Sequence, residues 1–205
     1  MTAGTASPST VDRSEFRHVL RSGALVGVVT GVAVIVYLVL ARLLPHGIIA
    51  GIVETIIVLA AGVLVTFLPG SFAVSRTVQG IASAAAIGLW GTVVFMAIDI
   101  ILLRPFHAYP WTWDAVAGGS TWWYLPIWWM LGTFLAWMGA LVTAGRVARG
   151  GDPSIRSLSL PLLAGGVGGA LGLGLGGLVY MPVAAGVGFV VTLVVFALVV
   201  ISRRP

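Results

Sequence analysis

The chain has 205 residues, of which 59% are hydrophobic and 8% charged, and its mean hydropathy is +1.10. A soluble domain of this size needs more charged and polar residues to cover its surface, so the composition excludes that class and makes lipid the solvent. The absence of cysteine excludes disulfide bonds and thiolate metal sites. The net charge of +5 comes from arginines spread over helix ends, which argues against a nucleic-acid partner.

Six apolar stretches follow one another along the chain, and each is long enough to cross a bilayer as a helix. A hydrocarbon core of about 30 Å requires roughly 20 helical residues. The predicted spans lie near 23–44, 47–68, 77–103, 122–144, 159–180 and 183–202. We therefore expect an all-α integral membrane protein, a six-transmembrane-helix bundle over 23–202. A partly disordered cytoplasmic segment at 1–22, an aromatic outer loop at 105–121 and a cytoplasmic tail at 203–205 complete the prediction.

The arginines indicate how the bundle is oriented, because basic residues that flank membrane spans are retained in the cytoplasm. With the N-terminus inside, only Arg42 and Arg104 fall on the outer side. The inner set comprises Arg13, Arg17, Arg21, Arg76, Arg146, Arg149, Arg156, Arg203 and Arg204. Both termini are therefore predicted to be cytoplasmic. All 11 basic residues are arginine, a composition typical of a GC-rich bacterial genome, so we expect the bacterial cytoplasmic (inner) membrane.

Small residues recur at a spacing of four in the apolar stretches, and in lipid such positions let helix backbones approach closely. The clearest sets, which predict glycine-rich helix packing, are Gly23, Gly27 and Gly31 in the first stretch and Gly168, Gly172 and Gly176 in the fifth. The fifth stretch holds eight glycines between 165 and 177. Each glycine weakens a helix by about 0.5–1 kcal/mol relative to alanine, so this helix needs neighbours. We expect a central helix on which others pack, the alternative being a flexible, gating or partner-docking helix.

Two acids, Glu54 and Asp99, lie inside predicted spans, where a charge costs about 2.5–3.5 kcal/mol. Each shares its helical face with small residues, so both are expected to face protein. The predicted outer ends of the helices bring further polar residues to the same level, namely Arg42, His46, Arg104 and His107. This candidate polar cluster has two interpretations. It is either a set of ion pairs and hydrogen bonds that lock the helices, or a proton or ion path or a pocket for a head group or quinone.

Six of the eight tryptophans fall around the third loop and the start of the fourth span. They are Trp111, Trp113, Trp122, Trp123, Trp128 and Trp129. Because indole rings favour the membrane–water interface, the pattern predicts an aromatic belt that anchors the fourth helix. The alternative is a stacking surface for a partner subunit or a flat cofactor. The sequence requires no cofactor, but it is compatible with contact to lipid, carotenoid, quinone or chlorin.

No catalytic or metal-binding arrangement is recognisable in the sequence. His18, His46 and His107 lie in termini or loops without the spacing that puts two imidazoles on one face, and no Ser/His/Asp set lies within the spans. We therefore expect a non-catalytic accessory or scaffold subunit of a larger membrane complex, with an energy-transducing (photosynthetic or respiratory) assembly as the candidate. Its expected partners are the lipid bilayer and other membrane subunits. The alternative is a small ion or solute transporter or channel that uses Glu54 and Asp99.

Overall fold

The computed structural model describes residues 16–73, 77–103, 124–152 and 154–202. Within these ranges the chain forms helices and the turns between them, with no β-strand, and six helices are long and apolar enough to cross a membrane. The predicted all-α, six-helix membrane protein is confirmed at this level. The N-terminal segment up to residue 15, the aromatic loop at 105–121 and the tail at 203–205 lie outside the described residues. The cytoplasmic location of the termini stays a prediction.

The helices are numbered here in chain order. They are α1 (Phe16–Leu43), α2 (Ile48–Ala73), α3 (Val78–Ile98), α4 (Tyr124–Val147), α5 (Ile155–Gly169) and α6 (Met181–Ser202). Two of them continue as a π-helical turn, α3 through Asp99–Leu103 and α5 through Ala170–Gly174. Thr77 caps α3, because its side chain accepts a hydrogen bond from the Gly80 amide at 3.1 Å.

Helix α5 ends before the predicted boundary at residue 180, and its glycines explain why. Gly177 has a φ of 71°, in the left-handed region that favours glycine. Around it the Leu178 amide donates to the Leu173 carbonyl at 3.1 Å and the Gly177 amide to the Gly174 carbonyl at 3.0 Å, which is the pattern of a Schellman motif. The chain therefore leaves the helix axis here and crosses residues 178–180 before α6 begins.

Helix α2 is the centre of the bundle, since it packs against α1, α3, α4 and α6. Helix α5 packs against α6 and touches α2 only lightly, so it lies at the edge of the described bundle. The expectation that the glycine-rich helix is central is therefore wrong. Its close contacts are mainly with α6: Gly165 and Gly169 face the α6 backbone, and a Cβ at Gly169 would meet the Ala184 carbonyl group, 3.2 Å from its carbon, while Gly166 approaches Leu59 of α2.

The glycines of α1 lie along its contact with α3. A Cβ at Gly23 would lie 2.7 Å from Trp90 Cδ1, and one at Gly27 would lie 2.7 Å from Val94 Cβ. In α5, by contrast, Gly168 and Gly172 are exposed, and no described atom lies within 4 Å of the position of a Cβ. The stripe of α5 that approaches another helix is therefore the one that carries Gly165 and Gly169.

Two groups of buried apolar side chains hold the bundle together. One joins α2, α4, α5 and α6 and includes Leu59, Phe67 and Leu193. The other joins α1, α3 and α4, with part of α2, and includes Val26 and Ile87. Large apolar side chains are also exposed along the helices, as contact with a lipid bilayer requires. The space between the two groups is where the candidate site lies.

Candidate functional site

Glu54 lies two turns into α2 and is only 4% exposed, so its carboxyl group needs a hydrogen-bonding partner. The partner comes from the other half of the chain: the Tyr180 hydroxyl donates to Glu54 Oε2 across 126 residues of sequence. Because α5 ends early, Tyr180 lies just before α6 and beside α2, where it makes this contact. The turns at residues 44–47 and 175–180 lie at this same end of the bundle.

Tyr180 is held in its neutral form. Its ring is 54% exposed, yet burial of the phenol group, followed by its hydrogen bonds with Glu54 and Tyr37, raises the pKa of Tyr180 far above the ordinary value of 10.0. The residue lies outside the candidate membrane spans. Tyr180 therefore keeps its proton throughout the physiological pH range and remains a hydrogen-bond donor.

Tyr37 extends this interaction to a third helix. It is half-buried on α1, near enough to Tyr180 for the two phenol groups to interact. Tyr37, Tyr180 and Glu54 therefore bring α1, the turn before α6 and α2 together at this end of the bundle.

A cavity of about 680 Å³ opens next to Tyr37, between α1, α2, α3, α4 and α6. Its walls are aliphatic and aromatic, with glycines contributed by α2, α3, α4 and α6. Thr30 and Thr92 also line it, but their hydroxyls donate to the Val26 carbonyl at 2.8 Å and the Gly88 carbonyl at 2.9 Å of their own helices. The lining runs along α1 from Val26 to Tyr37 and Leu38. Val26 and Tyr37 are about 16 Å apart along the helix axis, at 1.5 Å per residue.

Four members of the predicted polar cluster, Glu54, Asp99, Arg42 and His46, lie within the described residues, and their assembly into one cluster stays a prediction. Asp99 is 1% exposed at the start of the π-helical turn after α3, so both acids are buried, as expected for acids that face protein. Asp99 and Arg42 each have an interaction partner. His46 is exposed in the turn between α1 and α2. Arg104 and His107 lie outside the described residues.

The tryptophans of the predicted aromatic interface also lie partly inside and partly outside the described residues. Trp128 lines the cavity and meets Phe95 edge-on, with ring centroids 6.0 Å apart and an interplanar angle of 81°. Trp129 is 46% exposed on the neighbouring face of α4. The remaining tryptophans of the predicted aromatic interface, Trp111, Trp113, Trp122 and Trp123, lie outside the described residues.

Sequence reasoning missed Tyr37 and Tyr180. Tyr37 is the single side chain with a polar tip in the stretch from Val32 to Leu40, and Tyr180 stands between a run of glycines and Pro182. Both positions carry a weak signal, because amphipathic rings in apolar stretches usually find a hydrogen-bond partner. Nothing in the sequence, however, indicates that their partner is Glu54.

Within the described ranges, no group of three or more histidine, aspartate or glutamate side chains could hold a metal ion. Comparisons with protein-family models, with curated proteins and with solved structures give no match for this chain.

Proposed function

We propose that the protein is a non-catalytic membrane component that holds an elongated apolar molecule in the cavity between α1, α2, α3, α4 and α6. The observation that carries this proposal is the cavity itself: about 680 Å³, half-open, bordered by five helices and walled almost entirely by hydrocarbon. Binding sites for small molecules have volumes of about 300–1,000 Å³ and are mostly apolar. Water gains little in such a space, because it needs two to four polar partners.

The alternative role as an ion channel or carrier has less support. A permeating ion needs oxygen ligands that replace its hydration shell. Among the described residues, the cavity lining contributes three hydroxyl groups but neither Glu54 nor Asp99. An aliphatic chain, in contrast, gives up no hydrogen bonds on entering from the bilayer.

The wider role that we propose is that of an accessory subunit, in a bacterial cytoplasmic membrane, that positions such a molecule within a larger assembly. A photosynthetic or respiratory assembly is the candidate, because quinones, carotenoids and lipids are apolar and elongated. The edge position of α5 supports this role, since its outward face carries Gly168 and Gly172 beside exposed leucines. Small residues on a lipid-facing surface are what contact with another membrane helix uses.

The test is to identify what the cavity holds. The protein is purified from native membrane in mild detergent, and its bound small molecules are extracted and identified by mass spectrometry. We expect a substoichiometric to stoichiometric amount of one apolar compound. A cavity-filling variant, Gly186→Leu, should lose most of it, because Gly186 lines the cavity and the nearest described atom to its Cβ position, Val58 Cγ1, is 3.8 Å away.

Gly168→Leu is the matched control. It makes the same substitution in a helix, but at an exposed position outside the cavity lining, with open space around it among the described atoms. It should retain the compound at the wild-type level. Equal amounts in the two variants, or the absence of any apolar compound from the wild-type protein, would contradict the proposed function.

A further inference from the structure

The cavity has a side opening, and the residues at its edge indicate how the cavity is filled. Resting on the function proposed above, we infer that the cavity takes its ligand sideways from the bilayer, through a slit along α6 marked by Val183, Val187 and Val191. The ligand class is the uncharged hydrocarbon chain of a membrane-dissolved molecule. Any polar head that the molecule carries stays outside the slit, at the membrane surface.

The slit is identified by the exposure of its residues. Among the described residues that line the cavity, only Val183, Val187 and Val191 are exposed, at 52%, 50% and 55%. Residues at a spacing of four lie on one face of a helix, so the three valines form one stripe along α6. The stripe continues past the cavity to Leu198, which is 58% exposed and outside the lining. The three valines therefore belong both to the outer surface of α6 and to the edge of the cavity.

The slit faces the hydrocarbon of the bilayer. Helix α6 is long and apolar enough to cross a membrane, and the three valines lie in its first three turns. Large apolar side chains on the outer surface of such a helix contact lipid. The described residues of the lining include no charged side chain. A hydrocarbon chain that passes the slit therefore exchanges one apolar environment for another, whereas a charged group would lose its hydration.

The slit also has the direction that a lipid chain requires. Val183 and Val191 are about 12 Å apart along the helix axis, at 1.5 Å per residue. Membrane helices are tilted from the bilayer normal by about 20° on average, so the slit runs nearly parallel to the lipid chains. A chain can therefore move into the cavity sideways, without first turning away from its direction in the bilayer.

A second crevice beside the cavity is too small to serve as the entrance. It lies between α1 and α2, shares Val26 and Val65 with the cavity lining and includes Leu64, which is 39% exposed. Its volume is about 10 Å³, close to the minimum that holds one water molecule. A hydrocarbon chain does not fit there, so among the described residues the slit along α6 is the entrance that the structure favours.

The experiment uses a phosphatidylcholine that carries a photoreactive diazirine in the middle of one acyl chain. The purified full-length protein is placed in phosphatidylcholine vesicles that contain this probe and is illuminated, and the labelled residues are identified by mass spectrometry. Phe95 reports on the cavity, because it lines the cavity and is 3% exposed, and Leu89 of the same helix, 37% exposed, reports on the outer surface. The charged head group cannot enter an apolar cavity, so the acyl chain reaches Phe95 only through an opening to the bilayer. We expect both residues to be labelled.

Substitutions in the slit test whether it is the entrance. Val187→Trp puts an indole ring in the middle of the slit and should lower the labelling of Phe95 relative to Leu89 several-fold. Val191→Trp is a second slit variant with the same expected result, so the test does not depend on one variant folding. Val195→Trp is the matched control, because it makes the same substitution on α6 at a side chain that is 54% exposed and outside the lining. It should keep the wild-type ratio.

A second probe, a free hydrocarbon with the same diazirine and no head group, separates this inference from the proposed function. If the free hydrocarbon labels Phe95 in the wild-type protein but not in Gly186→Leu, while the phospholipid leaves Phe95 unlabelled, the cavity binds apolar molecules but does not open to the bilayer, and the inference is overturned. It is also overturned if both slit variants keep the wild-type ratio or if Val195→Trp lowers it equally. If neither probe labels Phe95 in the wild-type protein, the proposed function itself fails.

Discussion

Replacing Tyr180 by phenylalanine isolates the energetic value of its hydrogen bond with Glu54. The ring is 54% exposed, so the substitution removes one oxygen and little packing. What it leaves behind is a carboxyl group that is 4% exposed and has lost its tyrosine donor. A buried polar group that loses its partner costs about 1–3 kcal/mol, more than the hydrogen bond contributes on balance. We therefore expect Tyr180→Phe to lower the free energy of unfolding by about 1–2 kcal/mol.

A double-mutant cycle with Glu54→Leu measures the interaction itself. Once the carboxyl group is gone, Tyr180→Phe should cost almost nothing, because neither partner is left unsatisfied. Hydrogen bonds between membrane helices have coupling energies of about 0.6 kcal/mol on average and up to about 1.7 kcal/mol. The acceptor here is a carboxyl group that is only 4% exposed, so we expect a value in the upper part of that range. The assay is reversible unfolding in mixed micelles, and a coupling energy below about 0.3 kcal/mol would refute the reasoning.

Three further predictions concern packing, ionisation and capping. Gly27→Ala should destabilise the bundle by about 1–3 kcal/mol, because its Cβ would lie 2.7 Å from Val94 Cβ. Gly168→Ala should be neutral or stabilising, because the space around it is open among the described atoms. Thermal unfolding of both variants tests this difference. The raised pKa of Tyr180 means that the contribution of its hydroxyl to stability is intact below the ordinary value of 10.0 and is lost as the pH rises above it. In an ultraviolet titration, Tyr180→Phe should therefore form as many phenolates near pH 10 as the wild-type protein does. One missing phenolate in the variant would contradict the assignment. Ser154→Ala should cost about 0.5–2 kcal/mol, because the Ser154 hydroxyl accepts the Ser157 amide at 3.3 Å at the start of α5, and an unchanged unfolding free energy would show that the cap does not contribute.

The glutamate of the candidate site could be found from sequence, but its partners could not. An acid in an apolar span stands out because its charge is costly there, and small residues on the same face indicate that it faces protein. A tyrosine in such a span is ordinary, since its ring is at home in an apolar environment. The pairing of Glu54 with Tyr180 depends on where α5 ends and how α6 returns, 126 residues further along the chain.

The glycine-rich helix also shows which features the local sequence predicts and which depend on tertiary packing. Glycines at a spacing of four predict that some face of a helix approaches a neighbour, but α5 carries glycines on several faces. The structure selects the face with Gly165 and Gly169 and leaves Gly168 and Gly172 exposed. It also places α5 at the edge of the described bundle, because the neighbours of α2 are determined by the packing of all the helices together.

The sequence by itself determined the class of solvent, the number of apolar spans and the presence of a costly acid among them. These follow from the length of helix that a bilayer requires and from the free energy of transferring each side chain, which are local properties. Tertiary structure alone decided the cavity, the hydrogen bond from Tyr180 to Glu54 and the position of α5. Each of these depends on distances between helices that are remote in sequence, and those distances result from the close packing of complementary side-chain shapes.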